Sequence, residues 1–207
     1  MTRKIFIERV LRQIYNGQPS DDSNITVNLV NKWLTDAIGV AARKNYTDSI
    51  QIDGISYVNN SFYTIFRDLS VTKVEQNLYR LTLPEIPVGI GRNEGISLLQ
   101  FVESNGIVYR TAIPLSENQL GYIDNMRPVA NKLLYYPQGI YCYIKTTIGL
   151  TAYTGKVTMI SGGDSTDLDS ELNVPPDYLP ILTDYIKQQL LLEKSIPKDN
   201  ANDGVDN

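Results

Sequence analysis

Asp164, Asp167, Asp169 and Glu171 crowd the stretch after Gly162-Gly163. Paired carboxylates act as acid and base in glycoside hydrolysis, but only when a fold holds them several ångströms apart across a cleft. In a polar linker they read as solvated acids, with weak calcium binding as the minor alternative. Gly89-Ile90-Gly91-Arg92-Asn93-Glu94-Gly95 has the look of a nucleotide loop. A phosphate cradle needs a helix N-terminus behind its glycines, and no helical pattern follows. The expectation is a long loop stiffened by Pro84 and Pro87. Asp199, Asp203, Gly204 and Asp206 hint at a calcium loop. Ala201 stands where that pattern needs Asp or Asn, and flanking helices and a closing Glu are missing. Cys142 is the only cysteine, within Tyr141-Cys142-Tyr143-Ile144, and the chain has no histidine to activate it. A buried, inert thiol is expected. No catalytic, cofactor-binding or metal-binding residue is assigned, and the acid–base machinery an enzyme needs is not apparent.

Charge narrows the partners. Residues 1–50 carry 7 basic and 5 acidic side chains, residues 51–160 carry 9 and 8, and residues 161–207 carry 3 and 10. Acid is therefore concentrated at the C-terminal end, and no basic block marks a dedicated nucleic-acid binder. The first residues interleave charges with apolar side chains, unlike an export signal. No apolar run approaches membrane-spanning length. The expectation is a chain made in a reducing cytoplasm, with no membrane partner.

The elements that must carry these residues follow from periodicity. Ile7, Val10, Leu11 and Ile14 fall at helical spacing and predict a helix over 3–15, with Arg3, Lys4, Arg9 and Arg12 mostly off its stripe. Val30, Trp33, Leu34, Ala37, Ile38 and Ala41 predict a second helix from about Thr26 to Lys44. Asn24 or Thr26 can cap it, and Arg43 and Lys44 suit its C-terminus. The short connection predicts a helical hairpin. Leu179, Leu182, Ile186 and Leu190 predict a last helix over 177–194, capped by Asp177. Pro180 is then tolerated within the first turn. Trp33, Leu34, Leu182 and Ile186 are the expected anchors of one helical bundle, because each helix has a single apolar stripe to bury.

Between the helices, short runs rich in β-branched and aromatic residues alternate with turn residues. They are 62–66, 78–83, 97–102, 107–113, 133–136, 140–148 and 156–160. Asn105-Gly106 is the strongest hairpin signal, and Pro137-Gln138-Gly139 also reads as a turn. Fourteen tyrosines suit half-buried strand faces and interfaces. The fold class expected is α+β: an N-terminal helical hairpin and a C-terminal helix packed together, with an inserted antiparallel β-sandwich or small barrel. The divisions expected are 1–48 hairpin, 49–163 β insertion, 164–194 linker and last helix, and 195–207 flexible acidic tail.

Beyond periodicity, the chain resembles structural proteins of crAss-like podophages, the group infecting gut Bacteroidales. The matching stretches run along nearly all of it. They are Ile25 to Leu34, Asp53-Gly54-Ile55, Phe62-Tyr63, Leu83-Pro84-Glu85-Ile86-Pro87 with Gly91 and Gly95, and Ser161-Gly162-Gly163-Asp164. Leu168-Asp169-Ser170, Asn173-Val174-Pro175 with Asp177-Tyr178, and Asn202-Asp203-Gly204-Val205-Asp206 complete them. Order and spacing carry the match, since none of these stretches is chemically diagnostic. The architecture is also similar to phage portal adaptors.

The resemblance implies a virion protein: a head–tail connector subunit in a closed homomeric ring, a dodecamer, around the DNA exit channel. Its implied partners are copies of itself, the portal and neighbouring ring or tail proteins, with DNA passing without specific binding. The tail residues Asp199, Asp203, Gly204, Val205 and Asp206 are expected to dock on the adjoining ring or portal. Arg9 and Arg12 are expected to face DNA or an acidic neighbouring tail. The alternative is a tail-surface module whose β insertion binds a receptor or glycan.

Overall fold

The computed structural model describes residues 1–15, 25–91, 95–115, 119 and 131–195. Helix α1 spans Arg3–Ile14, and Thr2 caps it by accepting the Ile5 N–H at 3.3 Å. Helix α2 spans Val27–Asp53, and Thr26 accepts the Leu29 N–H at 3.2 Å. Helix α3 spans Leu179–Ser195 and follows a single 3-10 turn at Pro176–Tyr178. Their stripes meet in one core that holds Phe6, Ile7, Val10, Leu34, Ala37, Ile38, Leu182, Ile186 and Leu190. The last helix thus returns to the N-terminal pair, as the unpaired stripes required.

Two helix ends differ from expectation. The second helix runs past Lys44 to Asp53 and closes on Gly54 in the left-handed conformation. The chain after it folds back and pins the extra turns. Ser49 Oγ accepts the Tyr57 N–H at 3.3 Å and lies 2.8 and 2.9 Å from the carbonyls of Tyr46 and Tyr57, one of which takes its proton. Asn45 Oδ1 accepts the Asn59 N–H at 2.8 Å. Arg43 and Lys44 are therefore mid-helix, and Lys44 pairs with Asp48 at 3.2 Å. Asp177 is not an N-cap. It lies inside the 3-10 turn, with Pro175 before it and no side-chain cap, while Pro180 does occupy the first turn of α3.

The middle of the chain forms two sheets. One is ordered β1-β9-β4-β5 from Tyr63–Leu69 (β1), Thr154–Ile160 (β9), Ile96–Val102 (β4) and Val108–Thr111 (β5). The other is ordered β2-β3-β8-β7-β6 from Val71–Glu75 (β2), Leu78–Thr82 (β3), Tyr141–Lys145 (β8), Leu134–Gln138 (β7) and Ile113–Pro114 (β6). All pairings are antiparallel except β6 with β7. Alternation puts Tyr79, Leu81, Leu99, Phe101, Cys142, Ile144, Val157 and Met159 between the sheets as a second core. Gly155 is the closest approach: a Cβ there would come within 1.9 Å of Leu81 Cδ1 across the sandwich.

Strand β2 is absent from the sequence reading, because Val71-Thr72-Lys73-Val74-Glu75 lacks period-two alternation and is mostly exposed. The run expected over 107–113 breaks at Ala112, where the chain changes sheets: Ala112 donates to Leu99 and Ile113 to Leu133, each at 2.8 Å. The run 140–148 shortens to β8. Asn105-Gly106 does form the β4–β5 turn, with Gly106 at φ 84°. Pro137 is in β7 rather than in a turn, and the loop is Gly139-Ile140. Tyr135 accepts the Leu115 N–H at 2.8 Å on its β6 side. Pro137, two residues on, faces the same way past the last β6 pairing, so its missing N–H interrupts no pairing among the described residues.

Strands β1 and β9 are neighbours and carry the chain into and out of the sandwich. Their ends, Phe62 before β1 and Ile160 closing β9, belong to the helical core. Phe62 packs edge-on against Tyr178, with ring centroids 5.5 Å apart.

Candidate functional site

The polar joint beneath the helices is built on Arg3, whose side chain is fully buried. An arginine stays charged in any protein environment, so burial demands acceptors along its whole fork. Arg3 Nε donates to Asn31 Oδ1 at 3.0 Å and Nη2 to Thr35 Oγ1 at 2.7 Å, both on α2. Nη1 reaches the carbonyls of Ser161 and Gly162 at 3.3 and 3.4 Å. Burial pulls the guanidinium below its ordinary value, while Glu85 and Asp164 act against that shift. Burial raises the Glu85 carboxyl, opposed by its hydrogen bond from Ser165 and by Arg3. Asp164 is held below the usual carboxylate range, first by the Thr166 hydroxyl at 2.6 Å.

Backbone bonds close the same joint. Arg3 N–H donates to Ser170 at 3.1 Å and Lys4 N–H to Leu168 at 2.8 Å. The acidic stretch is therefore a wrapped segment clasping the start of α1, not a freely solvated linker. Gly162 and Gly163 make the corner with φ of 63° and 105°. A Cβ on Gly162 would meet Ile38 at 2.5 Å, and one on Gly163 would meet the Glu171 carbonyl at 2.3 Å. Sequence patterning missed Arg3, because a basic residue at the edge of an apolar stripe looks like a solvated flank. Its placement at the first helical position, before Phe6 and Ile7, was the available signal.

A second surface is the outer face of the β2-β3-β8-β7-β6 sheet. Register sets Arg80 opposite Tyr143 and Tyr143 opposite Tyr136. Tyr136 and Tyr143 stack with centroids 5.4 Å apart, and Tyr141 meets Tyr143 edge-on at 6.4 Å. The Arg80 guanidinium lies 4.6 Å from the Tyr141 ring centroid. These rings are half-buried. Tyr and Arg in such an arrangement are the residue types that dominate protein interfaces.

A third surface is a spur made by the last turns of α2 and the returning chain. Ile50, Ile52, Ile55 and Tyr57 are 43%, 80%, 65% and 46% exposed. The Tyr57 hydroxyl donates to Asp53 at 3.2 Å, and that carboxylate pushes the phenol up from its ordinary value. On the helical side, α1 and α3 enclose an open groove of about 430 Å³ lined by Phe6, Val10, Leu179 and Thr183. A depression of about 350 Å³ on α1 is lined by Ile5, Glu8, Arg9, Arg12 and Gln13.

Trp33, Leu34, Leu182 and Ile186 all lie in the helical core. Asp199, Asp203, Gly204, Val205 and Asp206 lie outside the described residues, as do all of 196–207, while Ser195, the first residue assigned to the tail, closes α3. The glycine stretch packs on α2 instead of opening a helix: Gly91 abuts the Tyr46 ring, and Arg43 Nε donates to the Gly89 carbonyl at 3.2 Å. Strand β4 follows it. Burial pushes the Cys142 thiol up to about 12. Among the described residues, no group of three His, Cys, Asp or Glu is placed to hold a metal ion, and no helix is long and apolar enough to cross a membrane.

The chain matches no protein-family model and no curated protein.

Proposed function

We propose that this chain is a structural subunit of a tailed-phage virion, one copy of a homomeric ring in the connector between portal and tail. One observation carries the reading: a single chain presents two unlike exposed surfaces, the isoleucine spur at the end of α2 and the basic face of α1 around Ile5, Arg9 and Arg12. A closed ring requires two different faces that fit each other head to tail. Burying apolar and aromatic groups against a neighbour is what such surfaces gain from. The sequence resemblance to crAss-like phage structural proteins supplies the setting. The acidic C-terminal segment suits a docking arm on the adjoining ring or portal, and the channel's DNA passes without specific contacts.

Native mass spectrometry of the purified chain, with electron microscopy of particles, tests the reading. The expected result is a ring of one stoichiometry, with twelve copies as the implied number, on the tail axis. A chain monomeric at all concentrations and absent from axial rings overturns it. The second reading, a glycan-binding tail module, is favoured by the Tyr141–Arg80 platform, since aromatic faces stack on sugars. Binding on a glycan array that is lost in Tyr141→Ala would select it.

A further inference from the structure

The spur and the outer face of α1 are complementary in chemistry and remote in the chain. The spur offers exposed Ile52, Ile55 and Tyr57, with Ile50 exposed on the turn before them, and exposed apolar groups clustered at one end of an element mark interaction sites. Its charge is negative. Asp53 is exposed beside Ile52, and the last turn of α2 holds no basic side chain. The carbonyl end of a helix adds partial negative charge there.

The outer face of α1 has the opposite sign. Met1 and Ile5 are exposed apolar side chains, and Lys4, Arg9 and Arg12 are exposed around them, with Glu8 half-buried among the bases. The depression lined by Ile5, Arg9 and Arg12 gives this face concavity. Within one chain the two patches cannot cover each other. Arg3 holds the start of α1 at Thr35, and from Thr35 to Ile52 the helix rises about 25 Å.

We propose that the spur of one copy seats on the outer face of α1 of the next copy. This rests on the ring reading above and names its contact. The contact is heterologous, because the two surfaces differ, so it builds a ring if the rotation closes. Asp53 then opposes Arg9 and Arg12, while Ile52 and Ile55 fill the space beside Ile5. This assigns Arg9 and Arg12 to a neighbouring subunit rather than to DNA.

Charge exchange tests it, with thermal melts of each variant as the control for folding. Asp53→Arg alone and the pair Arg9→Glu with Arg12→Glu are each expected to weaken association about tenfold, since like charges are set against each other. Combining all three changes is expected to restore most of the affinity, as a coupled pair must. Independently, chains carrying Ile5→Cys mixed with chains carrying Ile52→Cys should form a disulfide between the two variants, with the buried Cys142 silent. Unchanged association in every charge variant, or crosslinks only between identical variants, overturns the contact while rings persist. An unsubstituted chain that never associates overturns the ring reading itself, which the first measurement distinguishes.

Discussion

The two interiors of this chain are equally buried and differently made. Leu34, Leu182 and Ile186 on the helical side and Leu99, Cys142 and Val157 in the sandwich are all fully buried. The sandwich core closes by strand alternation with apolar side chains, and its tyrosine hydroxyl at Tyr135 needs only the Ile96 carbonyl at 3.3 Å. The helical side also encloses a cation, bound to α2 and to the corner after β9. The sandwich can therefore tolerate exchange of similar volumes, whereas the junction depends on one side chain's shape and charge.

Removing Arg3 is the sharpest way to break this contrast. Arg3→Met leaves Thr35, Asn31 and the Ser161 and Gly162 carbonyls without their donor, and Glu85 and Asp164 without their nearest compensating charge. Each buried acceptor left unsatisfied costs about 1–3 kcal/mol, so a total loss of about 3 kcal/mol is expected. Urea unfolding should show the loss as a lower midpoint with an unchanged slope. Arg3→Lys should recover little, because an ammonium cannot span the same four acceptors. A variant within about 1 kcal/mol of the parent would show that the cation is incidental to the joint.

What the sequence disclosed divides along the same line. The helical stripes and the β-branched and aromatic runs that became β3, β4, β8 and β9 are local signals, and they were legible. So were the bundle anchors, since Trp33, Leu34, Leu182 and Ile186 sit at helical spacing. The Arg3 cluster was not, because its partners are 28 to 159 residues away and no periodicity links them. The end of α2 was misjudged for the same reason: Tyr57 and Asn59 return to brace it, and nothing before Lys44 announces that. The spur, which those same contacts create, went unread with it.

The corner at Gly163 should show the next largest effect. Gly163→Ala puts a Cβ against the Glu171 carbonyl at φ 105°, a backbone region that side chains rarely adopt. A cost of about 1–3 kcal/mol is expected. The effect should not add simply to that of Arg3→Met, because both act on the 161–171 segment. Additivity within about 0.5 kcal/mol would separate the corner from the clasp.

Acid titration resolves the carboxylates by sign. Asp164 is held below its ordinary value, so its stabilisation is present above the unfolded carboxylate range and is lost as pH falls through the folded value. Glu85 is raised, so the folded chain takes up that proton first, and acidification through its folded value favours the fold. Asp164→Asn should flatten the fall in stability at the acid end. Glu85→Gln should remove the opposing contribution that sets in at higher pH. If both variants shift the stability–pH curve in the same direction, the assignment of opposite signs is wrong.

The sandwich should answer most weakly. Cys142 is fully buried opposite Leu81 on one side and Pro137 on the other. Cys142→Val keeps an apolar group of similar size, so the cost should stay below about 1.5 kcal/mol. The thiol, pushed up to about 12 by burial, should resist a thiol reagent at pH 8 in the folded chain and react once urea unfolds it. Its labelling rate then reports opening of the sandwich alone. In Arg3→Met that rate discriminates two cases. If the joint and the sandwich open together, labelling accelerates by the full loss in stability; if the helical side opens by itself, Cys142 stays protected while the global melt moves.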